Sequence, residues 1–174
     1  MHRLGRAAVL LFVIALVAPA VPANAHDHKR PKVMLRSHGE RQKGLPWTFE
    51  WTRADGKSCV SGIGDGVPDY RRKAMTWSPD NPLHLYFYKR QEPDSVRVRM
   101  HRRLDDDDLP TGRARRAEIN LRRKTLDTGR RIWIADFMAP DLRRLYVSVR
   151  VVWQDVEGCD DRQSLDMDFH IRRK

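Results

Sequence analysis

The stretch Leu145-Tyr146-Val147-Ser148-Val149-Arg150-Val151-Val152-Trp153-Gln154 decides the fold. Leu145, Val147, Val149, Val151 and Trp153 fall on one side of an extended chain. Tyr146, Ser148, Arg150, Val152 and Gln154 fall on the other. A period of two marks a strand with one buried face and one wet face. Such alternation predicts antiparallel rather than parallel pairing, because strands of a parallel sheet are covered on both faces and read as unbroken apolar runs. The pattern repeats downstream, where Leu165, Met167, Phe169 and Ile171 alternate with Asp166, Asp168, His170 and Arg172. It repeats upstream at Val96–His101, at Leu83–Tyr88 and at Trp47–Thr52. Shorter strand-like runs sit at Val33–Arg36, Ser58–Ser61, Glu118–Leu121 and Arg131–Phe137. Roughly seven or eight short strands between turn-rich segments predict an all-β antiparallel sandwich of two layers. Arg113–Lys124 is read as strand, with a short helix as the open alternative.

The N-terminus reads as an export signal. Arg3 and Arg6 precede an apolar run from Ala7 to Ala18, followed by Pro19, Pro22 and the small-x-small site Ala23-Asn24-Ala25. The run is shorter than the roughly 20 residues a spanning helix needs. No later segment of the sequence is apolar enough to cross a bilayer. The expected organisation is a signal peptide at 1–25, a basic polar arm at 26–46 and a β-sandwich domain at 47–174, in a secreted, extracellular protein. The arm assignment rests on its polarity and on Pro31, Gly39, Gly44 and Pro46. An exported domain with two cysteines, Cys59 and Cys159, is expected to join them. Closing a loop of about 100 residues stabilises by up to roughly 4–5 kcal/mol in the chain-entropy model.

One segment resembles a known architecture. Trp133–Phe137, then Ala139-Pro140-Asp141, then Leu145–Val149 is similar to the E strand, corner and F strand of immunoglobulin-like domains, with Tyr146 in the place of their corner tyrosine. The resemblance implies an immunoglobulin-like sandwich. It departs at Ser148, where those domains carry a cysteine, so Cys59 and Cys159 would not form the usual inter-sheet bridge. The chain also resembles uncharacterised small secreted bacterial proteins with this strand pattern, a likeness that implies no activity.

Charge is the strongest functional signal. Lys and Arg number 34 against 23 Asp and Glu, a formal net charge of +11. Net charge speaks to solubility and association rather than to fold. Arg97, Arg99, Arg102, Arg103, Arg115 and Arg116 are the candidate anion-binding residues, with Arg113, Arg122 and Arg123 nearby in sequence. A guanidinium donates bidentately to phosphate or carboxylate, which suits this role. Nucleic acid is not the expected partner, because it calls for aromatics interleaved on the same face. Tyr86 and Tyr88 would serve only if their strand lay beside Arg97 and Arg99.

Other candidates are narrower. Cleavage after Ala25 exposes His26-Asp27-His28. A free amine, two backbone nitrogens and a third-residue imidazole chelate Cu(II) or Ni(II) in a square plane. His26 also permits a histidine brace, for which His38, His84, His101 or His170 would supply a further ring. The plainer reading is an exposed tail. Ser61–Arg72 resembles a calcium loop around Asp65-Gly66, but Ile63 and Arg72 occupy positions that need oxygen ligands. Asp105–Asp108 is expected to be a solvated hairpin loop, and the tryptophans are expected mostly in the core, with Trp77 capping a loop. No nucleophile elbow, zinc-protease motif or glycine-rich phosphate loop is present in the sequence. The sequence therefore predicts a secreted, non-enzymatic binding or interaction module with no resident cofactor. Its basic face would contact an anionic cell-surface polymer, lipid head groups or a protein partner. The alternative is an exported copper- or nickel-binding protein.

Overall fold

A computed structural model describes residues 31–52, 58–63, 70, 73–154 and 162–174. The described chain contains strands and no helix. In order these are β1 (Val33–Ser37), β2 (Glu40–Lys43), β3 (Leu45–Thr52), β4 (Ser58–Ile63), β5 (Met75–Trp77), β6 (Leu83–Phe87) and β7 (Ser95–His101). They continue with β8 (Arg103–Leu104), β9 (Pro110–Thr111), β10 (Arg115–Arg116), β11 (Asn120–Thr125), β12 (Arg131–Phe137), β13 (Arg144–Gln154) and β14 (Arg162–Arg173). One sheet runs β11-β12-β6-β1-β2. The other runs β10-β7-β13-β14-β3-β4, with β5 also paired to β14. Among the described strands pairing is antiparallel except between β5 and β14.

The alternation in β13 does what the sequence predicts. Leu145, Val147, Val149, Val151 and Trp153 are buried, and they share one core with Val98 and Met100 of β7 and Leu165, Met167, Phe169 and Ile171 of β14. The first sheet meets them with Val33 and Leu35, Leu83, Leu85 and Phe87, and Ala135 and Phe137. Phe87 packs edge-on against Trp153 across the two sheets, centroids 6.3 Å apart. Burying such side chains is worth roughly 1.5–3 kcal/mol each.

Two expectations need correction. The stretch 26–46 is not an arm from Val33 onward. β1 and β2 form a hairpin closed by His38 (φ 41°) and Gly39 (φ 80°), the paired positive φ of a tight hairpin turn. The basic segment Glu40-Arg41-Gln42-Lys43 concealed a strand because β2 lies at a sheet edge, where no face demands alternation. Gly44 then passes so close to β14 that a Cβ there would stand 3.0 Å from Met167 Sδ and 3.1 Å from Phe169 Cζ. Trp77 caps no loop: it ends β5 and is buried in the core. Arg113–Lys124 is strand rather than helix, as expected, and contributes to two strands in different sheets, β10 beside β7 and β11 beside β12.

Candidate anion-binding cleft

Beyond β7 the chain makes a short detour that builds a hollow. Arg102 and Arg103 lead into the β8–β9 hairpin, where Arg103 pairs with Thr111 and Leu104 with Pro110. Gly112, at φ 77°, turns the chain back. β10 then lies along β7, with Arg115 opposite Met100 and Arg116 opposite Arg99. The Ala117 N–H donates to the Val98 carbonyl at 3.1 Å and extends this contact. The result is an open cleft of about 870 Å³. Arg102, Arg103, Arg113, Arg115 and Arg116 line it on the polar side. Met100, Pro140, Leu142 and Leu145 form an apolar wall, and no carboxylate among the described residues lines it. A second hollow of about 670 Å³ shares Met100, Arg115, Arg116 and Pro140, adds the exposed Met138, and carries the carboxylates Glu118 and Asp136 in its lining.

Four of the six arginines expected to bind anions therefore converge, joined by Arg113. Arg99 stands one strand away, opposite Arg116, on the outer face of the second sheet. Arg97 lies further along that face, opposite Arg150, whose Nε is 4.0 Å from Asp166. None of the five cleft arginines makes an ion pair or side-chain hydrogen bond among the described residues. Gathering cations around one hollow without carboxylates costs energy through their mutual repulsion. An incoming anion would relieve that cost. His101, next to Arg99 on the same face of β7, has a pKa held below its ordinary value by burial and by the charge of Arg99. It therefore adds little positive charge at neutral pH.

Tyr86 and Tyr88 do not join this patch. They extend outward from β6 and the residue after it, in the other sheet. There they form a separate basic and aromatic cluster that sequence reasoning missed. The rings stack with centroids 6.4 Å apart, Arg36 lies over Tyr86 at 4.4 Å, and Arg36 Nη2 donates to the Tyr88 hydroxyl at 2.8 Å. Lys32 covers Tyr88 at 5.4 Å. Nearby, Asp136 accepts from Arg122 Nε at 2.6 Å and contacts His84 Nδ1 at 2.6 Å. Burial opposes ionisation of Asp136. The hydrogen bonds from Arg122 and His84, with their charges, outweigh it, so this carboxyl ionises below the usual range. These cations already have partners. The signal for the cluster was the register of β1, β6, β12 and β11, which no single segment carries.

The remaining candidates separate. Asp105 is a turn former: its Oδ1 accepts the Asp107 N–H at 3.1 Å and the Leu109 N–H at 2.8 Å. His101 and His170 both flank Tyr146 in register, and His170 stacks on it with centroids 5.0 Å apart. His84 is in the other sheet, and His38 lies in the β1–β2 turn. Tyr146 and Ser148 lie on the outer face, where the buried Tyr70 hydroxyl donates to Asp168 Oδ1 at 2.5 Å and sits 2.8 Å from Ser148 Oγ. His26, His28, Cys159 and the centre of the Ser61–Arg72 loop lie outside the described residues, while Cys59 falls within β4. No helix among the described residues is long and apolar enough to cross a membrane. Comparison with protein-family models, curated proteins and solved structures finds no match to this chain.

Proposed function

We propose that the chain is an exported, non-enzymatic binding module that holds an anionic group in the cleft beside β10. The observation that carries this reading is five arginines around one hollow with no carboxylate among the described residues of its lining. Guanidiniums that lack partners retain their full capacity for bidentate phosphate or carboxylate recognition. The apolar wall excludes water from one side and so strengthens those contacts. An extended anionic polymer of the cell envelope suits the cleft better than a bilayer plane. Asp105–Asp108 cap the adjoining hairpin, and a flat anionic surface would meet those four acids along with the arginines. A polymer strand entering the cleft avoids them.

Export rests on the residues of the leader. The disulfide between Cys59 and Cys159 rests on that compartment. An immunoglobulin-like arrangement is supported by strand order: β11-β12-β6-β1 and β7-β13-β14 follow the pairing order of the D-E-B-A and C-F-G strands of such domains. Tyr146 lends no support. It points away from the core, whereas the corner tyrosine shares a face with a core cysteine two residues later. The N-terminal copper or nickel chelate at His26 and His28 keeps its sequence basis alone.

The test is a titration of the purified protein with inorganic polyphosphate at about 50 and 200 mM salt. Binding through several arginines releases counterions, so affinity should fall steeply over this range. Binding that is absent, or indifferent to salt, removes the proposal.

A further inference from the structure

The hairpin that supplies one wall of the cleft also carries, at its other end, a tip complementary to the cleft. The turn is tied in four places. Asp105 N–H donates to the Leu109 carbonyl at 2.9 Å, and Asp108 N–H donates to the Asp105 carbonyl at 3.1 Å. The Asp105 carboxylate takes the two further N–H groups described above. Asp108 occupies the left-handed region at φ 62°, which an aspartate tolerates better than most residues. This bonding holds Asp106, Asp107 and Leu109 outward. All three are exposed, Leu109 at 41%. Among the described residues, Leu109 and Met138 are the two large hydrophobic side chains that stand in solvent, and both belong to segments bordering the arginines. Asp106 and Asp107 make no ion pair within the described part of their own chain.

We infer that the cleft receives the β8–β9 tip of a second copy of this chain. This inference rests on the reading of the cleft as an anion acceptor. The tip offers two unpaired carboxylates and one exposed aliphatic side chain. The cleft offers guanidiniums without carboxylates and a wall of Pro140, Leu142 and Leu145. Charge and apolar surface therefore match on both sides. The hairpin does not serve its own cleft, because its base, at Arg103 and Thr111, forms part of the cleft wall and its tip stands at the far end of the ladder. Since donor and acceptor surfaces adjoin, a two-fold axis lets each copy insert its tip into the other, giving two equivalent contacts. The tied turn lowers the ordering cost of such docking. The dimer masks the arginines, and a polyanion competes with it.

Sedimentation equilibrium over a range of protein concentrations, at about 50 mM and 300 mM salt, tests the inference. The expected result is a dimer that dissociates more readily at the higher salt. Asp106→Asn with Asp107→Asn should weaken it at least tenfold, and Arg115→Gln with Arg116→Gln should do the same. Mixing these two double variants should restore part of the association that each has lost, because one wild-type tip then meets one wild-type cleft. A protein that stays monomeric at hundreds of micromolar and low salt overturns the inference, as does a dimer indifferent to the tip substitutions or a mixture that gains nothing. Polyphosphate titration of dilute protein distinguishes this failure from failure of the cleft itself. Asp106→Asn with Asp107→Asn should bind polyphosphate at least as tightly as wild type. A monomer that still binds polyphosphate through Arg115 and Arg116 discards the dimer and keeps the cleft, whereas loss of both discards both.

Discussion

The outer face of the first sheet and the cleft beside β10 are both rich in arginine, and their guanidiniums meet opposite surroundings. On the sheet face Arg36 lies on Tyr86 and donates to Tyr88, and Arg122 donates to Asp136. Ile132 and Ile134, cross-strand neighbours of Lys124 and Arg122, are fully buried although they face outward from the core. The arginine stems there act as a cover over apolar surface, as long charged side chains often do. In the cleft Arg102, Arg103, Arg113, Arg115 and Arg116 make no ion pair, side-chain hydrogen bond or ring contact among the described residues. The difference teaches that a count of arginines says little about binding. What distinguishes a receptive surface is the absence of partners that would already satisfy it.

The comparison breaks most directly at β10. Replacing Arg115 and Arg116 together by Gln should cost about 2 kcal/mol of polyphosphate binding, a roughly thirtyfold loss, at about 1 kcal/mol per basic residue near an anionic surface. Stability to urea should stay within about 0.5 kcal/mol, because both side chains are exposed and have no ion pair or hydrogen bond among the described residues. A variant that unfolds instead would show these arginines to be structural, and the contrast would collapse.

Asp136→Ala probes the other region. It removes the acceptor for both Arg122 and His84. Arg122 is 44% exposed, so solvent already weakens the pair, and the expected loss is about 1–2 kcal/mol of folding stability. Polyphosphate affinity should not change. A fall in affinity would mean that the sheet face contributes to binding.

The same carboxyl gives a pH signature. Its pKa in the folded protein lies below the unfolded value near 4, so its share of stability is complete above that value. The share disappears as pH falls through the lower folded pKa, because the unfolded chain binds the proton first. Comparing wild type with Asp136→Asn between about pH 6 and pH 2.5, the stability gap should narrow as the solution becomes acidic. A gap that widens would contradict the direction assigned to Asp136.

How much of this was legible beforehand depends on which interactions are local. β6, β7, β13 and β14 were readable from alternation, because each lays one face on the core and a period of two is visible within a single segment. β2 was not, since Glu40–Lys43 lies at an edge and buries no continuous face. β5 and β8 to β10 were too short to show a period. Among the arginines, residues 102, 103, 115 and 116 drew attention by density alone. Their meeting depends on the hairpin and Gly112, which fold 103 back near 115. The pairing of Arg36 with Tyr86 and Tyr88 joins residues about 50 positions apart, and only sheet register reveals it.

The smallest expected effect is the most discriminating. Arg97 belongs to the same sequence cluster as the cleft arginines, yet it lies on the outer face of β7, opposite Arg150 and away from the hollow. If the cleft is the receptive element, Arg97→Gln should weaken polyphosphate binding less than twofold, through the general field alone, with a nearly unchanged salt slope. If binding reflects the summed charge of the chain, Arg97→Gln should cost as much as Arg115→Gln does by itself. Measuring the two single variants side by side at one salt concentration therefore separates a site from a field, and equal losses would dissolve the contrast between the two regions.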